Sequence, residues 1–249
     1  MRFLLTSAGI NNPRIHEALV DLLGKPIAES NALCIPTAIY PFRGGPAGAY
    51  RFISGTATSP LCELGWKSLG VLELTALPSV ASENWIPAVE ETDALLVWGG
   101  DVLYLRHWMR ESGLADLFGS LRREIVYVGV SAGSMVASCW IGETYTGRKP
   151  PFGDDIKLEV TLVDTDEGEL IVNFTVAPGL GLVDFSLLPH VGHESFPENS
   201  LVNAKVWASR LPVPLYALDD QSAIKVVNGT VEVVSEGNWM LFDSGLREE

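Results

Sequence analysis

Ile125-Val126-Tyr127-Val128-Gly129-Val130-Ser131-Ala132-Gly133-Ser134 runs from an apolar strand straight into a glycine-framed serine. Six residues that are apolar on both sides predict a strand buried on both faces, and such strands belong to parallel sheets covered by helices. The small residues from Ser131 to Cys139 then predict a helix. Gly129, Ser131 and Gly133 have the G-x-S-x-G form in the strand-turn-helix context that this motif requires. A sharp turn there exposes a serine Oγ above the sheet, and small residues two positions either side relieve the crowding. The same spacing also suits a glycine-rich turn with a capping serine. The surrounding strand and helix favour the nucleophile elbow.

Outward from this stretch the pattern repeats. Phe3-Leu4-Leu5 precedes a helix over 13–23, with Pro13 in its first turn and Ile15, Ala18, Leu19 and Leu22 at helical spacing. Ala32 to Ile35 reads as a strand stopped by Pro36, 41–49 as a flexible Gly/Pro loop, 60–69 as a helix, and 71–74 as a short strand. Ala94 to Trp98 is an apolar strand ending at Gly99-Gly100, with Asp101 placed to cap a helix over 102–110. Residues 142–177 read as a loop with a β excursion at 156–163 and 169–175. After them come a strand near 185–189, a helix over 199–209 and a strand at 215–218. A hairpin follows, turning on Asn228-Gly229. No repeat or linker divides the chain, so one α/β domain over 1–249 is expected.

Composition limits the function classes. Of 249 residues, 47% are apolar and 19% charged, which excludes a disordered chain, and 31 acidic against 17 basic residues give a net charge of −14. That field repels phosphate backbones and anionic lipid, so neither nucleic acid nor membrane is an expected partner. Cys34, Cys62 and Cys139 lack both disulfide density and metal-site spacing, and the first residues lack a signal-peptide pattern. The expectation is a cytoplasmic protein with no cofactor. A homodimer is left open.

A serine nucleophile needs a base, and only His16, His107, His190 and His193 are available. His16 and His107 fall within helices. His190 follows the strand ending at Pro189, where a histidine can take the serine proton, and it is preferred over His193 three residues on. Gly99, Gly100 and Ala132 can turn backbone N–H groups toward a developing oxyanion. The third member is expected between serine and histidine in the chain. Glu143 and Asp154 are the two candidates kept there, ahead of Asp184 and the acidic turn at Asp164, Asp166, Glu167 and Glu169. Asp219 stands outside that interval. Arg43, Arg51, Arg106 and Lys205 are the cations considered for an anionic substrate.

Leu4 to Ile10, Trp98-Gly99-Gly100-Asp101, Gly129 to Ser134, Gly181 to His190 and Ala217 to Ala223 together resemble the dipeptidase E and cyanophycinase-like serine peptidases, in the family's order. The resemblance implies a flavodoxin-like three-layer α/β sandwich related to class I glutamine amidotransferases, with a mainly parallel central sheet. It implies Ser131 as nucleophile, His190 as base, and Gly100 and Ala132 as oxyanion donors acting on a small peptide substrate. Asp101 replaces the family's asparagine. The family's aspartate-specific dipeptidases carry a substrate-binding arginine downstream of the histidine; here the region Asn199 to Trp207 has only Lys205 as a cation, which offers no bidentate fork. A fold-retaining binding protein without a working triad, and an amidotransferase-like enzyme, are the competing expectations.

Overall fold

The computed structural model describes residues 1–145, 155–165 and 168–243. In the first half, strands and helices alternate as β1 (Arg2–Thr6), α1 (Pro13–Leu23), β2 (Asn31–Ile35), α2 (Gly45–Ile53), β3 (Ser68–Val71), α3 (Ile86–Glu91) and β4 (Ala94–Val97). Then follow α4 (Val102–Glu111), α5 (Leu114–Leu117), β5 (Val126–Val130) and α6 (Ala132–Met135). The second half is richer in strand: β6 (Trp140–Tyr145), β7 (Lys157–Thr165), β8 (Gly168–Pro178) and β9 (Ser186–Leu188). It closes with α7 (Leu201–Ala208), β10 (Leu215–Leu218), β11 (Ser222–Val227), β12 (Thr230–Ser235) and β13 (Trp239–Phe242).

Seven strands form the central sheet in the order β12-β11-β1-β5-β4-β2-β3. From β1 to β3 they are parallel; β11 runs antiparallel to β1 and carries β12 as a hairpin. Alternation of side chains along each strand feeds two separate cores. Leu95, Val97 and Tyr127 pack on one face with Leu103 and Met109, whereas Leu96, Val126 and Val128 pack on the other with Ile15 and Leu19. Each such side chain contributes about 1.5–3 kcal/mol on burial. The Asn228-Gly229 turn has φ of 50° and 78°, the left-handed pair that a two-residue hairpin needs.

Two three-stranded sheets, β13-β10-β9 and β6-β8-β7, build the rest. Their core centres on Phe174 stacked on Trp207 at 4.1 Å, with the Arg210 guanidinium over both rings. Among the described residues no helix is long and apolar enough to cross a membrane.

Helix α1 has its expected bounds, with Asn12 accepting from Ile15 N–H and Gly24 left-handed at the other end. The strand read at 71–74 lies three residues earlier, as β3, and three further expectations need correction. Residues 45–53 form α2 and not a loop: Pro46 lies in its first turn, and Phe52 stacks on Trp98 at 4.3 Å. No helix forms over 60–69, because the Glu63 carboxylate turns back to Leu61 N–H while the Trp66 indole bonds the Leu61 carbonyl. The helix after Ser131 is one turn long, and β6 starts at Trp140.

Candidate active site

Parallel strands end together, so the loops after β1, β4 and β5 gather at one edge of the sheet. Ser7, the Trp98–Asp101 segment and Ser131 all lie there. Antiparallel β11 begins where its neighbours end, with Thr6 paired to Ala223, and this brings Asp220 to the same edge. His190 arrives from the second sheet. Strands β9 and β10 are parallel in the register Leu188 to Ala217, and Val191 N–H bonds the Leu218 carbonyl at 3.0 Å. The residues leaving those two strand ends are therefore side by side.

Ser131 has φ 53° and ψ −118°, a backbone conformation that glycine adopts easily and other residues rarely. The turn is bolted in place. Ser131 N–H lies 3.1 Å from both the Thr6 and Ser7 carbonyls, Ser134 Oγ donates to the Thr6 carbonyl at 2.7 Å, and Tyr127 Oη donates to the Gly133 carbonyl at 2.6 Å. The flanking glycines have steric reasons. A Cβ on Gly133 would sit 2.1 Å from the Val97 carbonyl oxygen, and one on Gly129 would sit 2.6 Å from that of Gly133. Gly100, at φ 143°, passes so close to Ala38 that a Cβ would come within 2.2 Å of its carbonyl oxygen.

His190 Nδ1 lies 2.6 Å from Asp220 Oδ1. Burial pushes the Asp220 carboxyl pKa up, but the hydrogen bond and charge of His190, with Ser7 and His193 behind them, outweigh it and hold the group below its ordinary value. An ionised carboxylate only accepts, so Nδ1 carries the proton in the neutral imidazole and Nε2 is then the nitrogen with the lone pair. Phe196 stacks on the ring at 4.6 Å and 11°. His193 Nε2 is 3.8 Å from Asp220 Oδ2, and its Nδ1 accepts from Ser195 N–H.

Ser131 and His190 line two adjoining cavities of about 410 and 570 Å3. Gly100 and Glu143 border the first, while Gly99, His193 and Asp220 border the second. Glu143 accepts from Thr144 N–H, and the carboxylate on the imidazole is Asp220 instead. Asp154, Asp166 and Glu167 lie outside the described residues. Asp219 is occupied in its own turn, accepting from Gln221 N–H and Ser222 Oγ. Ala132 is buried at the start of α6, where a first-turn N–H has no partner within the helix. Asp101 caps α4 through Leu103 and Tyr104 N–H and accepts from Tyr145 Oη.

The proposed cations are elsewhere. Lys205 lies on the exposed side of α7 and borders neither cavity, and Arg43 and Arg51 are exposed. Arg106 is buried, gripping Asp155 through both terminal nitrogens and bonding the Pro178 carbonyl. Among the described residues no group of three or more His, Cys, Asp or Glu is arranged to hold a metal ion.

Sequence reading missed Asp220 because it sought the acid between serine and histidine. The available signal was an apolar strand, Leu215–Leu218, running into paired aspartates near a strand that ends in histidine.

The model of peptidase family S51 matches residues 3–234. No curated protein matches the sequence. Among solved structures, a protein of Listeria monocytogenes EGD-e named after peptidase E aligns with TM-score 0.55 and 18% identity, covering 95% of this chain and 98% of that one. A peptidase from an acI-B1 Actinobacterium aligns with TM-score 0.60 and 17% identity, over 100% of this chain and 92% of that one.

Proposed function

Because this chain belongs to peptidase family S51, we propose that it is a serine peptidase of the dipeptidase E type, cleaving small peptides through an acyl-enzyme on Ser131. The hydrogen bond between His190 Nδ1 and Asp220 carries the reading, since it leaves Nε2 as the only ring nitrogen able to accept a proton.

Ser131 Oγ attacks the scissile carbonyl carbon as its proton passes to His190 Nε2. Asp220 holds the tautomer and stabilises the imidazolium. The tetrahedral oxyanion takes hydrogen bonds from the Gly100 and Ala132 N–H groups. His190 then protonates the leaving amine, the C–N bond breaks, and the acyl group remains as an ester on Ser131. Water attacks the ester, His190 takes its proton, and the acid product leaves as Ser131 Oγ is reprotonated.

Cavities of about 410 and 570 Å3 suit a short peptide rather than a folded protein. A binding protein of the same fold drew its support from the unassigned acid and from Asp101 in the glycine loop; Asp220 beside His190 speaks against the first of these. The sheet with helices on both faces is read as a flavodoxin-like sandwich in one domain, and the cytoplasm as its compartment.

The test is hydrolysis of a dipeptide and short-peptide library by the wild type and Ser131→Ala. Cleavage that vanishes in the variant supports the reading. A wild type that cleaves nothing and resists a fluorophosphonate overturns it.

A further inference from the structure

Ser7 touches all three residues of the site with three different interactions. It follows β1 and is 1% exposed. Its carbonyl lies 3.1 Å from Ser131 N–H, its Oγ accepts from His190 N–H at 2.8 Å, and the same Oγ donates to Asp220 Oδ1 at 3.0 Å. Donor and acceptor roles are forced. An amide N–H can only donate and an ionised carboxylate can only accept, so the one hydroxyl proton belongs to Asp220. His190 is left-handed at φ 59°, a conformation a histidine keeps only when its surroundings fix it. Asp220 Oδ1 in turn is shared between Ser7 Oγ and His190 Nδ1.

We propose that Ser7 is a positioning residue. Its hydroxyl sets the backbone of His190 and the rotation of the Asp220 carboxylate together, so that the imidazole meets Ser131 with Nε2 forward. The proposal rests on the hydrolase reading of the same site. Ser7 exchanges no proton with substrate; it acts through the pair.

The experiment uses the full chain as wild type, Ser7→Ala, Ser7→Cys, Ser7→Thr and Ser131→Ala. A fluorophosphonate over a concentration series gives the maximal labelling rate and the half-saturating concentration separately, and a thermal melt accompanies each variant. Ser7→Ala and Ser7→Cys are expected to slow maximal labelling by about 10- to 100-fold, the effect of one hydrogen bond to a charged group. The half-saturating concentration should stay near the wild type, and the melting midpoint should fall by no more than several degrees, far too little to unfold the chain at the labelling temperature. Ser7→Thr, which keeps the hydroxyl, should recover most of the rate.

Full-speed labelling by Ser7→Ala overturns the proposal, as does a Ser7→Thr variant as slow as Ser7→Ala, or a loss that follows the melting midpoint. Should Ser7→Ala fail to fold, Ser7→Cys against Ser7→Thr decides. A wild type that does not label, or a Ser131→Ala variant that does, sinks the hydrolase reading instead. The Ser7 contact then remains open to NMR. The proton on His190 Nδ1 should move in Ser7→Cys and return in Ser7→Thr, and an unmoved signal overturns the contact.

Discussion

His190 Nδ1 and Asp220 Oδ1 are 2.6 Å apart although 30 residues separate them in the chain. The pair forms because parallel β9 and β10 deliver their exits to the same point. Its removal is the most direct assay of the site. Asp220→Asn keeps the shape but turns the tautomer preference around, and should lower fluorophosphonate labelling by about 10^3- to 10^4-fold. Glu143→Gln should lose far less. Labelling rates of the two variants, side by side, identify the carboxylate that serves His190.

The strained turn at Ser131 predicts a separation of stability from activity. Ser131→Ala and Ser131→Gly should both fail to label. Glycine relieves the positive φ, so Ser131→Gly should be the more stable by about 1–3 kcal/mol. For a chain of this size that is a melting difference of roughly 2–12 °C. Equal melting midpoints would mean that the turn stores no strain.

Gly133 admits no side chain, since its Cβ would meet the Val97 carbonyl at 2.1 Å, backbone against backbone. Gly133→Ala is expected to cost about 3 kcal/mol or more, at the upper end for overpacking. Gly181→Ala supplies a contrast: its φ is left-handed at 68°, so alanine is strained there, yet nothing lies within 4 Å of the added carbon. Urea unfolding should find Gly133→Ala the worse of the two.

Asp93 ties the start of β2 to the region before β5. It accepts from Asn31 N–H and Lys25 Nζ at 2.8 Å each, and from Arg123. Burial raises its pKa, but these donors outweigh burial and hold it below 3.8. A depressed carboxylate stabilises the fold above its ordinary pKa, and the contribution is lost as pH falls through the folded value. Melts of wild type and Asp93→Asn should thus differ most above about pH 4, and the gap should narrow as pH falls below that. A gap that stays constant with pH would refute the assignment.

Much of the framework could be read from residue patterns because local chemistry decided it. Asn12, Pro13 and Gly24 bracket α1, Asp101 caps α4, and Asn228-Gly229 closes the last hairpin. Reading failed where tertiary contacts overrode local signals. The glycines and prolines of 41–49 look like breakers, yet Phe52 seated on Trp98 anchors a helix there. At 60–69 the apolar spacing looks helical, and a single carboxylate, Glu63, diverts the chain.

The site divides in the same way. Ser131 announces itself through its glycines, Gly129 crowded by its own turn and Gly133 by the end of β4. His190 is found by its position after a strand. Asp220 depends on which strands pair and in which direction, and no short motif encodes that. Ser7 is quieter still, a small polar residue at a strand end whose importance lies in what meets it.

The antiparallel placement of β11 has a consequence for biosynthesis. Chain growth from the N-terminus brings out Ser131 and His190 before Asp220. Any chain halted between those points carries a serine and an imidazole without the carboxylate that orients them. Synthesis must pass Asp220, and β11 must dock beside β1, before the three can assemble. The three side chains therefore come together only in a chain whose last hairpin has docked.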